Sequence, residues 1–227
     1  MKIVATVKIN VPEDIYLRDP EQTKLGRKII HDGINLIDEL GFEAFTFGKL
    51  AKSISSTEAS IYRYFDNKHN LLVYLVSWYW SWLEYQIDYQ TNNIEDSEKK
   101  LKIVIRIISD IAQKESSFSH INEQALHRIV VSESLKAYYT KSVDAENQLN
   151  YFRSYKSLCL RIAAIMLELN ANYPYARALS STILESAHQQ IYFSQHLPSL
   201  TELRVKNNED YIKVVDYLEN LVFNQLK

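Results

Sequence analysis

The apolar positions of this 227-residue chain recur mostly every three or four residues. That spacing lines them along one side of a 3.6-residue helix, whereas a half-buried strand would alternate. The first clear run is Leu25, Ile29, Gly33, Leu36, Ile37 and Leu40. Asp19-Pro20 precedes it, with Gln22 where a capping box closes, and Gly41 follows as the left-handed residue that ends many helices. A first helix is therefore predicted from about residue 19 to residue 40. Two short helices follow over 47–53 and 58–64, separated by Ile54-Ser55-Ser56-Thr57. Asp66 or Asn67 then caps a long helix, along which Leu71, Tyr74, Trp78, Trp82, Tyr85 and Tyr89 form one stripe. Such a stripe usually faces a core.

After a break at residues 91–100, the segment 101–113 is apolar around most of its circumference, which predicts a central helix enclosed by others. Further helices are predicted over 119–131, 143–171, 174–196 and 208–226, with a shorter turn near 134–140. Residues 3–11 depart from this period. Ile3, Ala5, Val7, Ile9 and Val11 alternate as in a strand. A lone strand is unstable in water, so this arm either docks on a partner surface or lacks a fixed conformation. The expectation is an all-α chain: an arm over 1–18, a three-helix module over 19–70, and a helical body over 71–227 that shares the long helix with the module.

Composition agrees with a helical protein, since four glycines and four prolines are too few for a loop-rich all-β fold. A net charge of −2 argues against a protein that coats nucleic acid by charge alone, so the placement of charge matters more than its sum. The single cysteine, Cys159, excludes an intramolecular disulfide or a cysteine-based zinc site and suits a reducing compartment. No apolar run reaches the roughly 18 residues of a membrane span. The N-terminal MKIVATVKINV is too short and interrupted for a signal core, so the expected location is the cytoplasm.

Residues 41–72, GFEAFTFGKLAKSISSTEASIYRYFDNKHNLL, hold the most specific chemistry. Ala51 is small enough for two helices to cross there, and Phe47, Leu50 and Ile54 face Ile61, Tyr64 and Phe65 at helix-turn-helix spacing. Thr46 and Thr57 stand where a hydroxyl caps a helix start. The second short helix would then offer Ser56, Thr57, Glu58, Ser60 and Arg63 to a major groove. Tyr62 and Tyr64 carry phenols near the same surface, and Lys68 opens the next helix beside its positive dipole end. Helix packing explains Tyr64 equally well, and Arg63 alone reads as a solvated surface residue.

Gly41-Phe42, Thr46, Leu50-Ala51, Ser55-Ser56, Thr57, Tyr62, Tyr64, Phe65, Lys68, Leu71 and Leu72 stand in register without a gap. In that register the segment resembles the DNA-binding domain of TetR/AcrR-type transcriptional regulators, over roughly residues 22–72. The resemblance implies that Thr46, Tyr62, Tyr64 and Lys68 hold phosphates, while Thr57, Glu58, Ser60 and Arg63 lie nearest base edges of a palindromic duplex operator. Two positions depart from the family pattern: Ser55 replaces the usual turn glycine, and Glu58 stands where a basic or neutral residue is common. Seven basic against six acidic residues between 22 and 70 leave a net of +1, so binding should rely on the doubled contacts of a homodimer.

No serine-histidine-aspartate set, glycine-rich phosphate loop or carboxylate pair stands out, so neither an enzyme nor a cofactor is expected. His120 with His127, and His188 with His196, lack the further ligands of a metal site, and no metal is expected. In the body, Trp78, Trp82, Tyr85, Tyr151, Tyr155, Cys159 and Met166 line either an effector pocket, as the resemblance implies, or a densely packed core. The effector, if present, is a small apolar or aromatic compound. Leu179, Ile183, Ala187 and Ile191 form one late stripe, and Tyr211, Val214, Val215, Leu218, Leu221 and Val222 another. The resemblance implies that these two helices form a four-helix dimer interface; packing within one chain is the alternative. The expected function is a ligand-responsive repressor acting as a homodimer. The competing reading is a helical interaction protein whose helix-turn-helix no longer binds DNA.

Overall fold

A computed structural model describes residues 9–109, 120–206 and 210–227. Among them are eleven α-helices and no strand. The first, α1 (Lys24–Leu40), begins later than predicted. Asp19 caps only a 3-10 turn, Pro20–Gln22, and the Gln22 side chain bonds the Asp19 carboxylate instead of a backbone N–H. Thr23 is extended at φ −130°, and its hydroxyl caps the true helix by accepting from Gly26 N–H at 2.9 Å. Gly26 is required here, because a Cβ on it would lie 2.2 Å from the Pro20 carbonyl oxygen. The buried face is also rotated from the predicted stripe: Ile29, Ile30, Ile34 and Ile37 are enclosed, while Leu40 is exposed.

The short helices α2 (Phe47–Ser53) and α3 (Glu58–Ile61) lead to α4 (Lys68–Thr91), capped by Asn67. Every residue from 70 to 80 of α4 is buried, so this helix is the central rod of the molecule. It packs on α5 (Ser97–Ser109), α6 (Glu123–Glu133), α7 (Leu135–Tyr138) and α9 (Arg153–Leu169). That central place was expected for residues 101–113. The structure corrects this: Lys102 and Arg106 of α5 reach solvent, and residues 110–113 lie outside the described ones. The aromatic stripe of α4 leaves the core at its end, where Tyr89 is 73% exposed.

The single helix predicted over 143–171 is two, α8 (Val143–Gln148) and α9. Asn150 breaks it with φ 59°, a left-handed turn that asparagine tolerates. Asn150 N–H then bonds Asn147 O, and Tyr151 N–H bonds Glu146 O. Two long helices follow, α10 (Ala176–His196) and α11 (Tyr211–Gln225).

Residues 9–18 of the arm are docked, though not as a strand. Ile9 and Ile15 are buried, Ser81 Oγ donates to Asn10 O at 2.9 Å, and Leu17 N–H donates to Tyr64 O at 2.8 Å. The Ile15 side chain alone contributes about 1.5–3 kcal/mol by leaving water. The strand pattern over residues 3–8 lies outside the described residues.

Candidate nucleic-acid interface

The turn between α2 and α3 closes by two backbone bonds, Ser55 N–H to Lys52 O at 3.2 Å and Ser56 N–H to Ala51 O at 2.9 Å. Ser55 takes φ 53° to make them, so it does occupy the left-handed position usually given to glycine. The geometry costs about 1–2 kcal/mol for a residue with a Cβ, and the buried Leu50, Ala51, Ile54 and Ile61 around the turn hold it. Thr46 caps α2 through Lys49 N–H at 3.2 Å, and Thr57 caps α3 through Ser60 N–H at 3.3 Å. The short helix is thus fixed at its start and along its inner face. Thr46, Thr57, Glu58, Tyr62 and Arg63 remain exposed, with Ser56 and Ser60 half-buried beside them.

Tyr62 is 47% exposed and lies edge to face on Phe47 at 5.1 Å. Tyr64 and Lys68, implied by the resemblance to hold phosphates, engage groups of the chain itself. Tyr64 is 3% exposed, and its hydroxyl is bonded to Thr23 Oγ1 at 2.7 Å, so it ties α3 to the start of α1. The Lys68 ammonium donates to the carbonyls of Phe42, Glu43 and Phe45 at 3.0, 3.2 and 3.3 Å, and sits 4.7 Å from the Phe42 ring centroid. It thereby gathers the loop between α1 and α2. A cleft of about 340 Å3 opens beside these groups, lined by Thr46, Phe47, Gly48, Glu58, Tyr62, Asn67 and Lys68.

Several contacts that the sequence did not reveal join this module to α6 and to His120 and Lys136 on either side of it. Arg128 grips Asp38 of α1 with two bonds of 2.9 and 2.6 Å. The buried Glu133 accepts Phe42 N–H at 3.0 Å, and Lys136 bridges Glu133 and Glu43. His120 pairs with Glu21 at 2.7 Å. These partners lie far apart in sequence, 91 residues for Phe42 and Glu133, so no local pattern announces them.

The candidate effector residues do not gather around one open cavity. Trp78 and Trp82 are buried and stacked at 6.4 Å, Tyr151 is buried, and Met166 accepts the Ser180 hydroxyl at 3.7 Å within the core. Tyr155 donates to Glu185 at 2.7 Å, and burial raises the Cys159 thiol to about 12. Only Tyr85 lines the larger cleft, of about 810 Å3, outside the bundle. His127 accepts from or donates to the Tyr79 hydroxyl at 2.9 Å, and burial lowers it to about 3 and His188 to about 4. Among the described residues no three acidic, histidine or cysteine side chains are grouped to hold a metal.

The late stripes are covered within one chain. Leu179, Ile183, Ala187, Ile191, Val214, Val215, Leu218 and Val222 are all buried, with Tyr211 and Leu221 half-buried. Within the chain α10 and α11 pack on each other and on α5, which accounts for the burial of these stripes.

A helix presented outward by two caps, a closed turn and an apolar inner face is a helix-turn-helix DNA-binding module, here carried on an all-α body. Residues 29–75 match the family of bacterial regulatory proteins called the tetR family. Over most of its length the chain also resembles solved structures. AibR, solved with isovaleryl coenzyme A and operator DNA, is 14% identical with a TM-score of 0.58, over 87% of this chain and 98% of that one. The fatty acid degradation regulator FadR from Bacillus halodurans is 19% identical with a TM-score of 0.59, over 86% and 92%. The TetR family transcriptional regulator PfmR from Thermus thermophilus is 15% identical with a TM-score of 0.55, over 88% and 98%. No curated protein matches the chain. The N-terminal segment is a TetR-type DNA-binding domain, and the chain as a whole has the fold of TetR-type transcriptional regulators. Among the described residues no helix is long and apolar enough to cross a membrane.

Proposed function

We propose that the chain is a ligand-responsive transcriptional repressor of the cytoplasm, acting as a homodimer on a palindromic operator. The outward face of α3, with Thr57, Glu58 and Arg63 exposed on a fixed scaffold, is the observation that carries this reading. Thr46 and Tyr62 flank it as phosphate contacts, and Arg63 is the side chain most suited to a base edge. The division near residue 70 belongs to the same proposal: the module reads DNA, and the body responds.

The second copy is proposed to sit on α9 and α10. Tyr155 with Glu185, and Met166 with Ser180, set these helices antiparallel side by side. Leu160, Ala164 and Leu167 of α9 and Ala178 and Thr182 of α10 are exposed, and together would offer apolar and small side chains that allow close helix approach. Coupling between body and module would run through α6, whose Arg128 and Glu133 hold Asp38 and the Phe42 N–H. A ligand that binds one setting of α6 better than the other shifts the spacing of the two α3 helices. AibR, of the same fold and solved with both an acyl coenzyme A and operator DNA, supports a body of this shape being linked to a ligand.

A second reading, an interaction protein that no longer binds DNA, draws on the carbonyl engagement of Lys68 and on the carboxylate of Glu58 at the reading face. Selection from random duplexes at low salt separates the two. Enrichment of an inverted repeat with half-sites about one helical turn apart supports the repressor; recovery of unselected sequence removes it.

A further inference from the structure

The cleft of about 810 Å3 lies between the docked arm and the outer faces of α4 and α9. Glu13, Asp14, Asp19 and Glu21 stand on its arm side and Glu84 and Asp88 on its α4 side, with the Arg153 guanidinium in the lining and Arg161 paired with Asp88. Tyr16 and Tyr85 supply half-buried aromatic surface between the two walls, while Tyr74 is itself buried. Tyr16 meets Tyr74 edge to face at 5.9 Å, and Tyr85 stacks on the exposed Tyr89 at 6.1 Å.

Some of these carboxylates already have partners. Asp19 accepts the Glu21 N–H, Glu21 pairs with His120, and Asp88 pairs with Arg161 at 2.5 Å. Glu84 differs. It is half-buried, its hydrogen bond among the described residues is to the Ser157 hydroxyl at 2.7 Å, and burial, reinforced by Asp88, raises its carboxyl above the ordinary value against the opposing pull of Ser157 and Arg161. A carboxylate in such surroundings gains from a cation supplied by the solution. Tyrosine ring faces attract the same charge, and they also cover an apolar body that a hydrated metal ion lacks. The volume falls within the usual range for small-molecule sites.

We propose that this cleft binds a small organic cation, an ammonium group on an aromatic or aliphatic body, with Glu84 as charge partner and Tyr16 and Tyr85 as walls. The site is separate from the aromatic interior of the bundle. Its arm wall continues to Leu17, whose N–H is bonded to the carbonyl of Tyr64, just past α3. A ligand that draws the arm toward α4 therefore acts one hydrogen bond from the reading helix. That link rests on the regulator reading, whereas binding does not.

The test is calorimetric titration of the full chain, without DNA, with benzyltrimethylammonium and with the neutral N-benzylacetamide. Saturable binding of the cation is expected, about ten-fold or more tighter than the amide. Glu84→Gln and Tyr85→Ala should each weaken it by about ten-fold. The exposed double variant Glu13→Gln/Asp14→Asn, which leaves the core untouched, should weaken it several-fold, and circular dichroism verifies that each variant is folded. Equal affinity for cation and amide, no saturable heat at millimolar cation, or unchanged affinity in the folded variants overturns the proposal. The titration contains no DNA, so its failure is distinct from a failure of α3 to read an operator.

Discussion

Replacing Lys68 by methionine separates the phosphate contact implied by the sequence from the loop-ordering contacts seen in the structure. The ammonium donates to three carbonyls, of Phe42, Glu43 and Phe45, and lies over the Phe42 ring. A hydrogen bond to a charged donor contributes about 1.5–3 kcal/mol when the site is dry. This site is only half-buried, so water replaces part of each bond and the three together are worth about 2–3 kcal/mol. For a chain of this length that corresponds to a fall in Tm of roughly 4–12 °C. Thermal unfolding followed by circular dichroism measures it. Arginine should not rescue the loss, because a planar fork does not match three carbonyls gathered around one point. The DNA readout discriminates further. A residue that orders the loop lowers affinity without altering its salt dependence, whereas a phosphate contact contributes about 0.9 to the log–log slope, or about 1.8 for two subunits. A Lys68→Met protein of unchanged Tm whose salt slope falls by that amount would refute the structural role.

Three further outcomes are expected. Ser55→Gly relieves the left-handed turn at φ 53° and should stabilise the chain by about 1 kcal/mol, seen as a higher urea midpoint; a lower midpoint would mean that the turn is not strained. Burial holds His127 near 3 and His188 near 4, below their unfolded value of about 6.5, so the unfolded chain binds more protons in that window and stability falls as pH drops below about 6.5. His188→Phe should flatten that fall by about 1.4 kcal/mol per pH unit in urea titrations between pH 6 and 5, and parallel curves for the two proteins would count against it. Leu160→Glu with Leu167→Glu, on exposed positions of α9, should convert a dimer to a folded monomer by light scattering; an unchanged mass places the interface elsewhere.

The helices of the N-terminal module were legible because their signals are local. Thr46, Thr57 and Asn67 each cap the helix that follows them, and Ser55 takes the turn conformation that its position in the pattern requires. Burial facing was less legible. The stripes of α10 and α11 show that each helix hides one face, yet periodicity is silent on whether α5 of the same chain or a second chain covers it. The same limit applies to Tyr64, whose hydroxyl meets Thr23 across 41 residues of sequence, and to Glu133, which reaches Phe42 across 91. A polar side chain at the right register looks alike in sequence whether it meets a phosphate or the protein's own backbone.

That ambiguity bears on how this module would hold DNA. Its net charge of +1 already limits nonspecific attraction, and the structure commits much of the positive side to carbonyls. Lys28 donates to Ile54 O at 2.9 Å, Lys49 to Ala44 O at 2.7 Å, Arg27 to Glu21 O, and Lys68 to the loop after α1. These bonds fix the ends of α1 and α2 and so sharpen the placement of α3, while leaving less mobile charge. Lys24, Lys52 and Arg63 are the basic side chains of the segment that stay exposed outside this set. Affinity should therefore depend less on long-range attraction than on hydroxyls and backbone N–H groups fitting the phosphates at short range, which favours a correctly shaped site over arbitrary DNA. In the proposed homodimer it would also make the separation of the two modules decisive, since one module offers few ionic contacts to stay bound when its partner is out of register. A body that shifts α6 by a small amount would then switch binding efficiently, because each half-site contributes little alone.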